Sequence, residues 1–317
     1  MMTFRTDLAI EAHESIKRGG GVEAAKAKLP EGVTVKTEQH GCANITVIRV
    51  DSEEGQKALG KRCGMYVTVE VSCDDITTFE TQRNVSEEIA KQLRVFTGCF
   101  AENDGPVLVI GLGNRYITPD SLGTCTAEKV LATHHIKSHP EALQCDFFEK
   151  AGDVCTFSAG VIGVTGIESA EVIKGIAEQV KPCAILVIDA LAARKTTRIN
   201  GAIQITDTGI VPGSGVGNRR FEISKETMGV PVISVGIPTV VDAATLVGDV
   251  VSGSEEKHEE QSEALLARIE KVVGENMIVT PKNIDAAIER MARVLADAIN
   301  MTLHSRVNVN EINEFFL

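Results

Sequence analysis

At 317 residues, with 43% hydrophobic and 24% charged residues, the chain has material for one large α/β domain with elaborations. Its formal net charge of -12 opposes nonspecific binding to nucleic acid or to acidic membranes, which carry the same sign. Aromatic residues are 4% and Trp is absent, so the core has to be built from Val, Ile, Leu and Ala, a composition that suits a mostly parallel sheet covered by helices.

In chain order, the first patterned stretch is FRTDLAIEAHE at 4–14. It opens an amphipathic helix over 8–18, with Thr6 or Asp7 placed as N-cap and Glu11 and Glu14 in the first turns. Gly19-Gly20-Gly21 ends it, because no helix interior tolerates three glycines. ANITVIRV (43–50) and MYVTVEVS (65–72) alternate with the period of half-buried strands and suggest an antiparallel pair or edge hairpin. NVSEEIAKQLRVF (84–96) carries apolar residues at 85, 89, 93 and 96, a helical stripe.

From there the pattern becomes strand, turn, helix. PVLVIGLGN (106–114), CAILVIDAL (183–191) and VPVISVGIP (230–238) are continuous apolar runs, as expected of strands buried on both faces. TTRINGAIQITD (196–207) reads as a further strand and SGSEEKHEEQ (252–261) as an exposed loop or helix start. Residues 283–304 form a long helix whose apolar face needs the sheet or a neighbouring subunit as partner. The expected fold is α/β and three-layered: a largely parallel central sheet covered by helices, with an N-terminal β-hairpin-like elaboration.

Eight cysteines show no CxxC pair and no zinc-like spacing with the seven histidines, so they read as scattered thiols of a reducing compartment. His134, His135 and His139 read as a surface segment, and the basic pairs Lys61-Arg62, Arg194-Lys195 and Arg219-Arg220 are too short to demand a basic patch. GLGNRY has Tyr116 where a dinucleotide fingerprint needs a small residue, and GIVPGSGVGNRR lacks the Lys-Ser/Thr pair of a phosphate loop. Neither a basic start followed by an apolar segment nor a run of ~18 apolar residues occurs, which predicts a cytoplasmic protein.

The chemistry that remains lies in carboxylates at strand ends. Asp120 follows the run ending at Gly111, and Asp189 closes ILVID. Loops at the carboxyl ends of strands line the crevice of an open α/β sheet, so the two could face one another. A close pair shares a proton, one member acting as acid while the other activates water; the same pair could instead hold a divalent cation. Asp120 could equally be a helix N-cap, as could Glu168, Asp207 and Asp242 before the segments that follow them.

Seven blocks in order, RTDLAIEAHE, VIGLGN…TPDSLG, GVIGVTGIES, VIDALAAR, RINGAIQITDTGIVPGSGVGNRR, GVPVISVGIPTVVDA and NMIVTPKNID, resemble the germination proteases of spore-forming bacteria. The resemblance runs from the N-terminus to about His304. It implies an endopeptidase that starts the degradation of small acid-soluble spore proteins, with an α/β fold related to hydrogenase maturation endopeptidases. It implies a homotetramer of the forespore or spore core, and a zymogen that processes itself, with residues 1–7 as propeptide and 8–317 as a single peptidase domain with C-terminal helices. By motif, the family's proposed catalytic aspartates fall on Asp120 and Asp189, making it aspartic-type. No cofactor is implied, with a divalent metal at the carboxylate pair as the open alternative, and no nucleic-acid or membrane partner. Two alternatives share the fold: a metal-dependent maturation-type peptidase and a non-catalytic binder of metal or peptide. Two departures from the family stand out: Val211 where a His precedes PGSGVGN, and a shorter segment between PTVVDA and NMIVTP. TDLAIEA resembles the family's substrate sites, cleaved after Glu or Asp and before a hydrophobic residue followed by Ala, which puts the processing bond between Asp7 and Leu8.

Overall fold

The computed structural model describes residues 6–18, 29–72, 76–102, 105–139, 146–213, 221–247 and 277–307. The triple glycine at 19–21, the charged stretch at 252–261 and residues 214–220 of the second glycine-rich segment lie outside them.

The described strands are β1 (Val33–His40), β2 (Ala43–Val50), β3 (Gly64–Glu70), β4 (Val107–Gly111), β5 (Val154–Ser158), β6 (Ala184–Ala193), β7 (Ala202–Thr206), β8 (Val232–Asp242) and β9 (Ile278–Val279). They form one sheet in the order β1-β2-β3-β7-β8-β6-β4-β5, with β9 added to β8. The β8-β6-β4-β5 block is parallel; β4, β6 and β8 are the continuous apolar runs of the sequence, and β5 (VCTFS) is a partly buried edge strand that the sequence pattern does not mark. The N-terminal strands extend the same sheet through antiparallel pairs, β3 joining β7 and β7 joining β8. The expected pair, β2 and β3, is antiparallel, but helix α2 (Glu53–Leu59) lies between them; the tight hairpin is β1-β2, turning at Gly41.

Both faces of the sheet are covered. Helices α3 (Phe79–Phe96), α4 (Leu122–Ala127) and α6 (Ile284–Leu303) share one core with Val109, Leu186, Ile188 and Val235. On the other face α5 (Ser169–Val180) packs on Leu108, Ile110, Ile185 and Val187, and α1 (Ala9–Arg18) on Ile48, Tyr66, Leu191 and Ala193. The period of two in β6 sorts its residues between the faces. The apolar face of α6 is spent within the chain, against α3 and α4. No helix among the described residues is long and apolar enough to cross a membrane.

His304, fully buried at the end of α6, is fixed in its neutral form. Its Nδ1 accepts from the Gly152 N–H at 3.1 Å, and its Nε2 donates to the Leu131 carbonyl at 3.1 Å. Burial pushes its pKa down to about 4 from 6.5. A base with a depressed folded pKa contributes stability above its unfolded pKa and loses it as pH falls to the folded one. Between about pH 6.5 and 4 the chain should therefore lose about 3 kcal/mol from this group. Urea unfolding across that window, compared with His304→Gln, checks it: the wild-type curve should be the steeper, and parallel curves would contradict the assignment.

Candidate active site

Asp189 stands in the middle of the ten-residue strand β6 rather than at its end. Its neighbour β4, however, stops at Gly111, opposite Ile188, so Asp189 is the first residue past that edge. Along the face it shares with Ile185, Val187, Leu191 and Ala193, it is the one polar residue between two apolar clusters. The opposing β8 residue is Gly236, which leaves this part of the sheet without a side chain. Asp189 is 5% exposed, and its Oδ1 accepts the Ala190 N–H at 2.9 Å.

Asp120 arrives by a loop that doubles back after β4. Gly113, at φ +99°, lies so close to the Asp120 carbonyl that a Cβ would stand 1.8 Å from it, so only glycine permits the fold-back. The fold-back brings the Asn114 N–H to 2.7 Å from Asp120 Oδ2. Asp120 therefore does not cap α4, whose N-cap is Ser121 with no side-chain cap bond. Asp120 and Asp189 line one crevice of about 940 Å³, together with Thr6 and Asp7.

The N-terminal segment is seated in this crevice. The Asp7 N–H donates to the Ala192 carbonyl at 2.9 Å, and Asp7 Oδ2 accepts the Ala192 N–H at 2.8 Å, so the residue pairs with β6 like a short strand. Its carbonyl accepts from Lys61 Nζ at 2.8 Å and from Gln204 Nε2 at 3.1 Å. Leu8 and Ala9 are fully buried. Glu11 accepts the Arg194 N–H at 2.6 Å, the Lys195 N–H at 2.9 Å and Arg198 Nη1 at 3.3 Å. Arg198 also binds Glu14 and Glu70. The sequence places an N-cap at Thr6 or Asp7; in the structure α1 starts at Ala9, whose N–H is capped by Gln204 Oε1 at 2.7 Å, while the Asp7 carboxylate serves β6.

The electrostatics differ between the carboxyls. Burial raises the Asp189 pKa well above the ordinary carboxylate range, and the charges of Asp120 and Asp7 raise it further. Burial also raises Asp120, but its bond from Asn114 opposes the rise. Both carboxyls are thus raised, Asp189 the more strongly, which favours Asp189 as the proton-bearing member of the pair. Lys61 is lowered by burial, with Asp7 and Glu11 acting against that. Glu14 would be raised by burial, but Arg198 and Lys195 hold it at about 2.

Of the other sequence candidates, Asp242 is a cap, accepting the Thr245 N–H at 2.8 Å, and Asp207 accepts the Met65 N–H at 2.8 Å. Glu168 and Val211 line the crevice rim. His134 pairs with Asp153 at 2.9 Å, and no group of three or more His, Cys, Asp or Glu placed to hold a metal occurs among the described residues. Lys61, Gln204 and Arg198 are the site residues the sequence left unmarked, because segments distant in the chain, the end of α2, the turn at Thr196–Arg198 and strand β7, bring them together.

A family model described as germination protease matches residues 9–254 and 253–316. The germination protease of Clostridium tetani (strain Massachusetts / E88) is 37% identical, over 99% of this chain and 99% of the relative. That of Bacillus subtilis (strain 168) is 36% identical, over 96% and 94%. Among solved structures, a NiFe hydrogenase maturation protease from Thermococcus kodakarensis KOD1 is similar at 16% identity and a TM-score of 0.34, over 66% of this chain and 98% of that one.

Proposed function

The chain belongs to the germination protease family, and from that premise we propose that this spore-germination endopeptidase cuts small acid-soluble spore proteins between an acidic residue and a hydrophobic residue followed by Ala. Its own first target is the Asp7-Leu8 bond, so the full chain is a precursor with residues 1–7 as propeptide. The spore core is its place of action. A homotetramer is part of the same reading, and since the apolar face of α6 is already covered, assembly would use other surfaces.

One observation carries the specificity: Thr6 and Asp7 line the crevice of the two aspartates, and residues 8–11 run on from it into matched surroundings. Leu8 and Ala9 enter the apolar cluster of Ile48, Leu191 and Val241, and Glu11 meets two main-chain amides and Arg198. A substrate with the order acidic-Leu-Ala-x-Glu would take the same seat. Asp120, as carboxylate, would draw a proton from a water whose oxygen attacks the carbonyl carbon; Asp189 would give its proton to the departing nitrogen as the C–N bond breaks.

The test is a peptide carrying Thr-Asp-Leu-Ala-Ile-Glu, assayed with and without a chelator. Cleavage between Asp and Leu that survives chelation supports hydrolysis by the carboxyl pair; loss on chelation would replace it with a metal-assisted reaction. Changing the peptide's Glu to Ala leaves buried donors unpaired, which should lower kcat/KM by about 10- to 100-fold. Equal cleavage of both peptides would remove Glu11's seat from the specificity.

A further inference from the structure

We propose that Lys61 and Gln204 form the oxyanion clamp of this peptidase, a pair of side-chain donors that polarises the carbonyl of the bond to be cut. The inference rests on the reading of Asp7-Leu8 as a scissile bond.

The geometry is that of a carbonyl with both lone pairs engaged: Lys61 Nζ at 2.8 Å and Gln204 Nε2 at 3.1 Å. Both donors are placed by the fold. Helix α2 ends at Gly60, whose left-handed turn (φ +65°) closes on the Gln56 carbonyl and delivers Lys61 to the crevice, where Nζ also reaches the Thr6 carbonyl at 3.3 Å. Gln204 sits on β7 between Thr68 of β3 and Gly236 of β8, 7% exposed. Its Oε1 accepts the Ala9 N–H at 2.7 Å, so its amide can present only N–H groups to the Asp7 oxygen. That arrangement orients the amide without help from the substrate carbonyl.

When water adds to the Asp7 carbonyl carbon, the C=O electron pair moves to oxygen and a negative charge appears there. A cation and an amide N–H already aimed at that atom stabilise the charge without reorganising. The intermediate then collapses, re-forming the C=O bond and breaking the bond to the Leu8 nitrogen, which takes a proton. In the peptide ground state the same two contacts are weaker, because the oxygen carries only a partial charge.

The experiment follows removal of residues 1–7 from the full chain by intact mass. Lys61→Met should slow it by about 100-fold or more, Gln204→Met by about 10- to 100-fold, and Lys61→Arg should recover part of the rate by keeping a cationic donor. To separate polarisation from simple anchoring, amide exchange over 9–18 is measured in an Asp189→Asn background that cannot cut. There, Lys61→Met should leave exchange unchanged. Processing at the wild-type rate in both Met variants would overturn the clamp, and so would slowing matched by a rise in exchange. If the wild-type chain leaves Asp7-Leu8 intact, self-processing fails instead, and the clamp is judged on the Thr-Asp-Leu-Ala-Ile-Glu peptide. A fall in kcat at constant KM for Lys61→Met upholds it; an unchanged kcat, or no cleavage by wild type, overturns it.

Discussion

Asp189→Asn is expected to abolish cleavage while making the fold more stable. The amide keeps the shape of the carboxyl and can still accept the Ala190 N–H, so packing between the two apolar clusters survives. It cannot hold and release a proton, which should lower kcat by about 10³-fold or more. The stability gain follows from linkage. In the fold, burial and the charges of Asp120 and Asp7 raise the pKa of Asp189 well above 3.8. The native state then binds more protons than the unfolded chain between 3.8 and the raised value, so wild-type stability falls as pH rises through that window. The variant has no such loss. Its melting temperature should exceed that of wild type at neutral pH and converge with it toward pH 4. Retained cleavage would remove Asp189 from the chemistry, and a melting temperature below wild type at neutral pH would contradict its burial as a strained acid.

Arg198→Met should produce the largest loss of stability. The guanidinium is 7% exposed and binds Glu70 at 2.7 Å, Glu14 at 2.7 and 3.0 Å and the buried Glu11 at 3.3 Å. Removing it strands carboxylates that the fold has already desolvated, at a cost of about 3–5 kcal/mol. The loss should fall on the docking of α1, with faster amide exchange over 9–18 and slower processing at Asp7-Leu8, before it reaches the sheet. Lys195→Met, which touches Glu14 from a site about a third exposed, should cost under about 1 kcal/mol. Equal effects of the two variants in urea unfolding would deny the buried node its special weight.

In the parallel block, β4, β6 and β8 were legible because they are buried on both faces and apolar almost throughout; the edge strand β5, VCTFS, is only partly buried and carries no such run. Strand β1 was not legible either. VTVKTEQH lies at the sheet edge and is exposed at its last five positions, so no sustained alternation marks it. Helix α3 starts at Phe79, six residues before its apolar stripe begins at Val85, because the Thr78-Thr81 capping box sets its beginning. Asp120 and Asp189 could be marked from their places after apolar runs. Lys61 could not: it was one half of a short basic pair, and its partner Asp7 is 54 residues away. Gln204 is 197 residues from Asp7 and sits in a strand whose sequence promises only a core position. Such neighbours follow from sheet order, which local pattern does not encode.

The seat of α1 carries a thermodynamic asymmetry. In the intact chain, Thr6 Oγ1 accepts the Leu8 N–H at 3.1 Å and bonds Glu11, and Asp7 ties the helix entrance to Ala192. Hydrolysis at Asp7-Leu8 would sever these anchors and place a cationic amine at the positive end of the helix. The lost cap-like contacts are worth about 0.5–2 kcal/mol and the unfavourable charge about 0.3–1 kcal/mol. The processed helix would thus hold the crevice less tightly than its precursor, and a spore protein would compete for a seat whose first occupant had been weakened by its own cleavage.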